Sequence, residues 1–128
     1  MLFDAADVLE DDGLHTYEGR RKKTGERYFF ALTTRAREIL MKYDGQLPQM
    51  SNQQYNLRLK VVAEAAKIDK PLASHYARRT CGRRLLNAGF SIEQVAKVLG
   101  HSDIRTTQAT YAELLNSNIV QAYKRAGL

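Results

Sequence analysis

Apolar positions recur in two rhythms along this chain. Residues 14–32, LHTYEGRRKKTGERYFFAL, place the strand formers Leu14, Thr16 and Tyr17 before a polar stretch and Tyr28, Phe29 and Phe30 after it. Thr24-Gly25 supplies the turn, so a β-hairpin is expected. Beyond it the spacing becomes helical. Thr33 or Thr34 caps a helix over TRAREILMKYDG, with Ala36, Ile39, Leu40 and Tyr43 on its apolar face and Gly45 ending it. The loop GQLPQM leads to an element capped by Ser51, in which Tyr55, Leu59, Val62 and Ala66 recur at helical spacing. Ser74 is placed to cap a helix from His75 to Asn87 that Gly89 closes. SIEQ at 91–94 is a capping box. The helix after it buries Ile92, Val95, Ala96 and Leu99 and stops at Gly100. A short helix from Asp103 and a last one around 117–126 follow. Two strands and about five helices predict an α+β domain, mostly α: a small antiparallel hairpin or sheet near the N-terminus, then a helical bundle.

The 128 residues suit a single domain, 1–128, that buries roughly two thirds of its unfolded surface. No apolar run is long enough to span a bilayer. The acidic start, MLFDAADVLEDDG, lacks the basic region of a signal peptide. The single cysteine, Cys81, allows no internal disulfide and fits a reducing cytoplasm. The net charge is +6, and its distribution sharpens the picture. Residues 1–13 hold five acids (Asp4, Asp7, Glu10, Asp11, Asp12) and no base, so the remainder sets twenty bases against nine acids. Such a basic body favours a polyanion, with nucleic acid the usual one, and no membrane partner.

Three stretches could carry chemistry. In SHYARR, residues 74–79, His75 and Arg78 share one face at a helix start, where free N–H groups favour a phosphate. Its bland reading is a surface helix with scattered bases. In GRRKKTGER, residues 19–27, four bases run into a tight turn whose lysines could reach a groove or deliver a proton. There the bland reading is an edge strand guarded by charge. In GHSDIRTTQATYAEL, residues 100–114, His101 follows a helix-ending glycine and Tyr111 comes ten residues later. A tyrosine nucleophile needs help, since its ordinary pKa is about 10. Clustered cations would stabilise the phenolate and a pentacoordinate phosphorus. Alone, Tyr111 reads as a core aromatic beside Leu114 and Leu115.

Taken together, these stretches form an ordered set that resembles the tyrosine recombinase (phage-type integrase) family. The family pattern is a hairpin lysine, H-x-x-R, L-G-H and a tyrosine near the C-terminus. Here those are Lys23, His75 to Arg78, Leu99-Gly100-His101 and Tyr111. The text SHYARRTCGRRLLNAGFSIEQVAKVLGHSDIRTTQATYAEL carries the likeness further, over about residues 8–115 in all.

The resemblance implies an integrase-like catalytic core acting in site-specific DNA recombination and integration. Tyr111 would attack a phosphodiester of double-stranded DNA, leaving a 3′-phosphotyrosyl link and a free 5′-hydroxyl. Another 5′-hydroxyl would then reseal the strand, with no metal and no cofactor. Arg78 would grip the non-bridging oxygens, where its planar fork serves better than a lysine. His75 and His101 would position the phosphate and help move protons. Lys23 would protonate the leaving oxygen; it is preferred to Lys22 because it directly precedes the Thr-Gly turn. Arg20, Arg21, Lys22, Arg79, Arg83 and Arg105 would hold the DNA backbone. A homo-oligomer is implied, a tetramer on DNA for the full-length protein. The segment NSNIVQAYKRAGL would be either exchanged between protomers or packed on its own domain. The family also has a second arginine, in a Gly-Leu-Arg-like segment before the sheet, and a DNA-clamping N-terminal domain. No arginine precedes Arg20 here. The expectation is therefore a truncated C-terminal catalytic domain, the clamping domain absent, that binds DNA weakly and is inactive or nearly so.

Two rivals remain. SIEQVAKVLGHSDIRTT has the look of a non-enzymatic helix-turn-helix DNA reader, although Thr106 sits where such motifs usually bury Val or Ile. A basic RNA-binding domain would fit the charge alone. A metal hydrolase is disfavoured, because His15, His75 and His101 lack ligand spacing. No Walker-type glycine loop is present either.

Overall fold

The computed structural model describes residues 7–127. Asp4 of the acidic start and Leu128 of the C-terminal segment lie outside the described residues. Three antiparallel strands, β1 (Val8–Asp11), β2 (Leu14–Arg20) and β3 (Arg27–Ala31), form a sheet of order β1-β2-β3. Five helices follow: α1 (Thr34–Lys42), α2 (Asn52–Ala65), α3 (Ser74–Asn87), α4 (Ile92–Leu99) and α5 (Ile104–Ala126). The class is α+β and mostly α, as expected.

The sheet has one strand more than the two expected. β1 pairs with β2 through a two-residue turn, Asp12-Gly13, in which both residues have positive φ (47° and 76°). Asp-Gly is a favoured pair for that turn because both positions need the left-handed region. Across β2 and β3, Tyr17 pairs with Phe30 and Gly19 with Tyr28. Tyr17, Tyr28 and Phe30 pack together with ring centroids 5.5–6.1 Å apart, Tyr28 stacked on both and Phe30 tilted against Tyr17. A Cβ on Gly19 would come within 2.6 Å of the Tyr28 ring, so only glycine lets that ring lie across β2. α4 packs against β3.

The caps explain where most helices begin. Thr33 caps α1 by accepting from the Ala36 N–H, and Ser51 and Ser91 form capping boxes with Gln54 and Gln94. The α3 start differs from the expectation. Its N-cap is Ala73, with no side-chain cap, and Ser74 is already helical. Asn56 Oδ1 accepts from the Ser74 N–H (2.9 Å), and Ser74 Oγ donates to Asn52 Oδ1 (3.3 Å). The α3 entrance is thus tied to α2. The α2 face also differs: Tyr55 and Val62 are exposed, and the buried residue is Ala63. On α1, Ile39 and Tyr43 are exposed and no residue is buried.

Residues 104–126 are two helical segments that meet at a kink at Tyr111 (φ −118°, ψ 16°). Two helices were expected here; the junction falls at Tyr111 and not just before residue 117, and no Gly or Pro marks it. Asp103 caps the first segment, accepting from the Arg105 N–H at 2.9 Å. The core joins Leu86 of α3, Val95 and Leu99 of α4 and Tyr111 of α5, flanked by Leu85, Ile92, Leu114 and Leu115. Past Tyr111, Asn118 Nδ2 donates to the Leu86 carbonyl (3.5 Å), while Ile119, Val120 and Tyr123 are exposed. Among the described residues no helix is long and apolar enough to cross a membrane.

Leu86 is 4% exposed and belongs to the core cluster with Val95, Leu99 and Tyr111. Leu86→Ala should cost about 2–5 kcal/mol through lost transfer energy and a residual cavity. Urea melts would show a lower midpoint at unchanged slope.

Candidate active site

The site is built around the C-terminal end of α4. Gly100 takes the left-handed conformation there (φ 60°, ψ 46°), and the His101 N–H donates back to the Ala96 carbonyl at 2.9 Å. This closure turns the last α4 carbonyls outward, and helix ends of that polarity attract cations. Two arginines from distant elements answer them. Arg78 of α3 donates through Nη2 to the Leu99 carbonyl, and Arg21, just after β2, donates through Nη1 to the Gly100 carbonyl at 3.2 Å. Arg78 is half-buried; burial and then the neighbouring Arg21 charge lower its pKa from the ordinary value.

His101 is next in the chain. Its Nδ1 is hydrogen-bonded to Thr107 Oγ1 at 2.6 Å, and Thr107 is fully buried. The bond fixes the ring from behind and leaves Nε2 for other work. Burial first, then Arg78 and Arg21, push the His101 pKa below its ordinary value, so the ring is neutral at pH 7.

Tyr111 lies at the bend of α5 and is 4% exposed. Its hydroxyl donates to the Arg79 carbonyl at 3.4 Å. The ring tucks beneath α3 because residue 82 is glycine; a Cβ there would collide with the Tyr111 hydroxyl. Burial, then Cys81, raises the phenol's pKa, while Arg78 and Arg79 oppose that rise. A groove of about 820 Å3 opens beside the ring, lined by Tyr76, Arg79, Arg83, Thr110 and Tyr111 among others.

The structure therefore brings Arg78, His101 and Tyr111 into one neighbourhood. It adds Arg21, which sequence reasoning put among the backbone contacts, and Thr107, which that reasoning passed over. Nothing in the sequence separates Thr107 from Thr106; only the inward turn of α5 does so. His75 sits exposed in the first turn of α3, and Lys22 and Lys23 are exposed at the hairpin tip. No side-chain hydrogen bond joins these three to the cluster. Arg20 reaches the Gly25 carbonyl at 3.5 Å. Arg105 is held by Asp103 at 2.8 Å, so a DNA phosphate would have to compete with that carboxylate. Among the described residues no group of three His, Cys, Asp or Glu side chains is placed to hold a metal.

The model of the phage integrase family matches residues 14–118. The chain belongs to that family. It is similar to the tyrosine recombinase XerD of Pseudomonas putida, at 39% identity over 75 residues, 59% of this chain and 25% of that protein. Similarity to XerD of Ralstonia nicotianae is 37% over 99 residues, 76% of this chain and 29% of the relative. The chain spans about a quarter of the length of these curated relatives. The crystal structure of XerA recombinase has the same fold, with a TM-score of 0.73 at 19% identity, covering 96% of this chain and 50% of that one.

His101 yields a pH prediction. Its folded pKa is depressed below the ordinary value of 6.5, so between those two values the unfolded state binds more protons. Stability from this group is complete above about 6.5 and is lost as pH falls through the folded value. Urea midpoints should therefore drop from pH 7 to pH 5, and drop less in His101→Gln.

Proposed function

We propose that this chain is the catalytic part of a site-specific DNA recombinase, which cuts and rejoins double-stranded DNA through Tyr111. The observation that carries the reading is the meeting of Arg78, His101 and Tyr111 at the end of α4, beside a groove lined by Arg79 and Arg83. The phenol oxygen attacks the phosphorus and the P–O5′ bond breaks. Neutral His101 is suited to take the phenol's proton, and Lys23 gives one to the departing 5′-oxygen. Arg78 holds the non-bridging oxygens, with His75 beside it on the same helix face. A second 5′-hydroxyl reverses the step and restores the phenol. No cofactor or metal is needed, because the phosphotyrosyl link conserves the bond energy.

The basic surface holds the duplex: Arg20, Lys22, Arg79, Arg83 and, once released from Asp103, Arg105. The full-length protein works as a tetramer on DNA, in the cytoplasm. A passive helix-turn-helix reader is not favoured. In such a reader the α4–α5 turn would be left free for a groove, whereas here Arg21 and Arg78 occupy it.

The test is a trap. A nicked duplex lets the short cleaved strand diffuse away, so the covalent product accumulates. High protein concentration makes sequence-independent binding sufficient. After long incubation and denaturation in SDS, wild-type chain should carry a DNA strand and Tyr111→Phe should carry none. An adduct that survives Tyr111→Phe would assign the nucleophile elsewhere. Absence of any wild-type adduct would reduce the chain to a DNA-binding module.

A further inference from the structure

Arg21 stands apart from the other bases of the hairpin. Its backbone is pinned on both sides: its N–H donates to the Glu26 carbonyl and its carbonyl accepts from the Gly25 N–H, each at 2.8 Å. Lys22 and Lys23 project into solvent from the turn that these bonds close. The Arg21 side chain instead turns inward across Gly100. A Cβ at Gly100 would lie 3.1 Å from Arg21 Cδ and 3.4 Å from Cγ, so glycine is what lets the side chain cross so closely. Its guanidinium then binds the carbonyl adjacent to the one Arg78 holds.

Two cations on successive carbonyls repel each other, and among the described residues neither is paired with a carboxylate. The ion pairs among the described residues are Arg27–Glu18, Arg35–Glu38 and Arg105–Asp103. The α4 carbonyls offset only part of the two charges, since a helix end is worth about half a unit. A partly buried cation pair beside a neutral histidine is left needing an anion. Each guanidinium has five N–H donors, and the carbonyl bonds engage one on each. A phosphodiester has two non-bridging oxygens, enough for one per arginine.

We propose that Arg21 touches the scissile phosphate directly, sharing its non-bridging oxygens with Arg78. The hairpin then contributes an arginine to the reacting centre as well as contacts along the duplex. The inference rests on the strand-cleavage reading above. It adds a residue that the motif positions do not include and that is separate from the arginine expected before the sheet.

The test uses the full chain, uniformly 15N-labelled, titrated with inorganic phosphate at low salt. The Nε–Hε signals are followed by NMR, and duplex DNA binding is measured in parallel by fluorescence anisotropy. Arg21 and Arg78 signals should move along one common binding curve. Arg21→Ala should weaken the phosphate affinity read at Arg78 about tenfold or more, with Tyr111 and Gly82 signals in place to show that the fold persists. Arg78 moving while Arg21 stays still overturns this proposal and leaves the proposed function standing. So does unchanged affinity at Arg78 in Arg21→Ala. If neither arginine responds while duplex DNA still binds, the placement of the scissile phosphate fails along with it.

Discussion

Two adjacent carbonyls at the end of α4 organise the rest of this molecule. The Leu99 and Gly100 carbonyls are open to cations because Gly100 closes the helix in the left-handed region, where a side chain would be strained and would also crowd Arg21. Arg78 reaches them from α3 and Arg21 from the sheet, so three elements far apart in sequence converge on one helix end. The following residue is His101, and its bond to buried Thr107 carries the same constraint into α5. About one helical turn after Thr107 stands Tyr111, held where α5 bends beneath α3. A helix end that attracts positive charge thus gathers two arginines, a histidine and a tyrosine together.

In the proposed reaction Tyr111 would serve two purposes that pull against each other. It is part of the core with Leu86, Val95 and Leu99, and its burial favours the neutral phenol. Nucleophilic attack requires the opposite form. Arg78 and Arg79 already act against burial, and a bound phosphodiester would be gripped by the same cationic surroundings. The bend at Tyr111 is the place where α5 departs from helical geometry. The residue that chemistry would have to move therefore sits where the backbone is already least regular.

Local signals were well expressed in the sequence. Ser91 and Gln94 form the capping box that SIEQ announces, and Gly100 ends α4 as its position suggests. The hairpin strands follow their aromatic residues. Strand β1 escaped because Glu10 and Asp11 make VLED look like part of an acidic loop, although Asp12-Gly13 is a hairpin turn pair. The junction inside α5 was expected near residue 117 and falls at Tyr111, because the kink there carries no breaker residue. The burial faces of α1 and α2 escaped because spacing shows amphipathicity and not which neighbour covers it. At the site, the order of Arg78, His101 and Tyr111 was visible as a motif. Arg21 on Gly100 was not: the two are 79 residues apart, and one more arginine in GRRKKTGER carries no mark of its inward turn.

Direct mapping of the DNA-linked residue reaches the central claim most simply. The covalent product formed on a nicked duplex would be digested with trypsin and nuclease, and the nucleotide-bearing peptide sequenced by mass spectrometry. The chain has seven tyrosines, so the outcome discriminates. The account predicts the phosphonucleotide on Tyr111, within the peptide that follows Arg105. A nucleotide on Tyr76, Tyr123 or any other tyrosine would contradict it, because the cations gathered at the end of α4 would then not surround the reacting phosphorus.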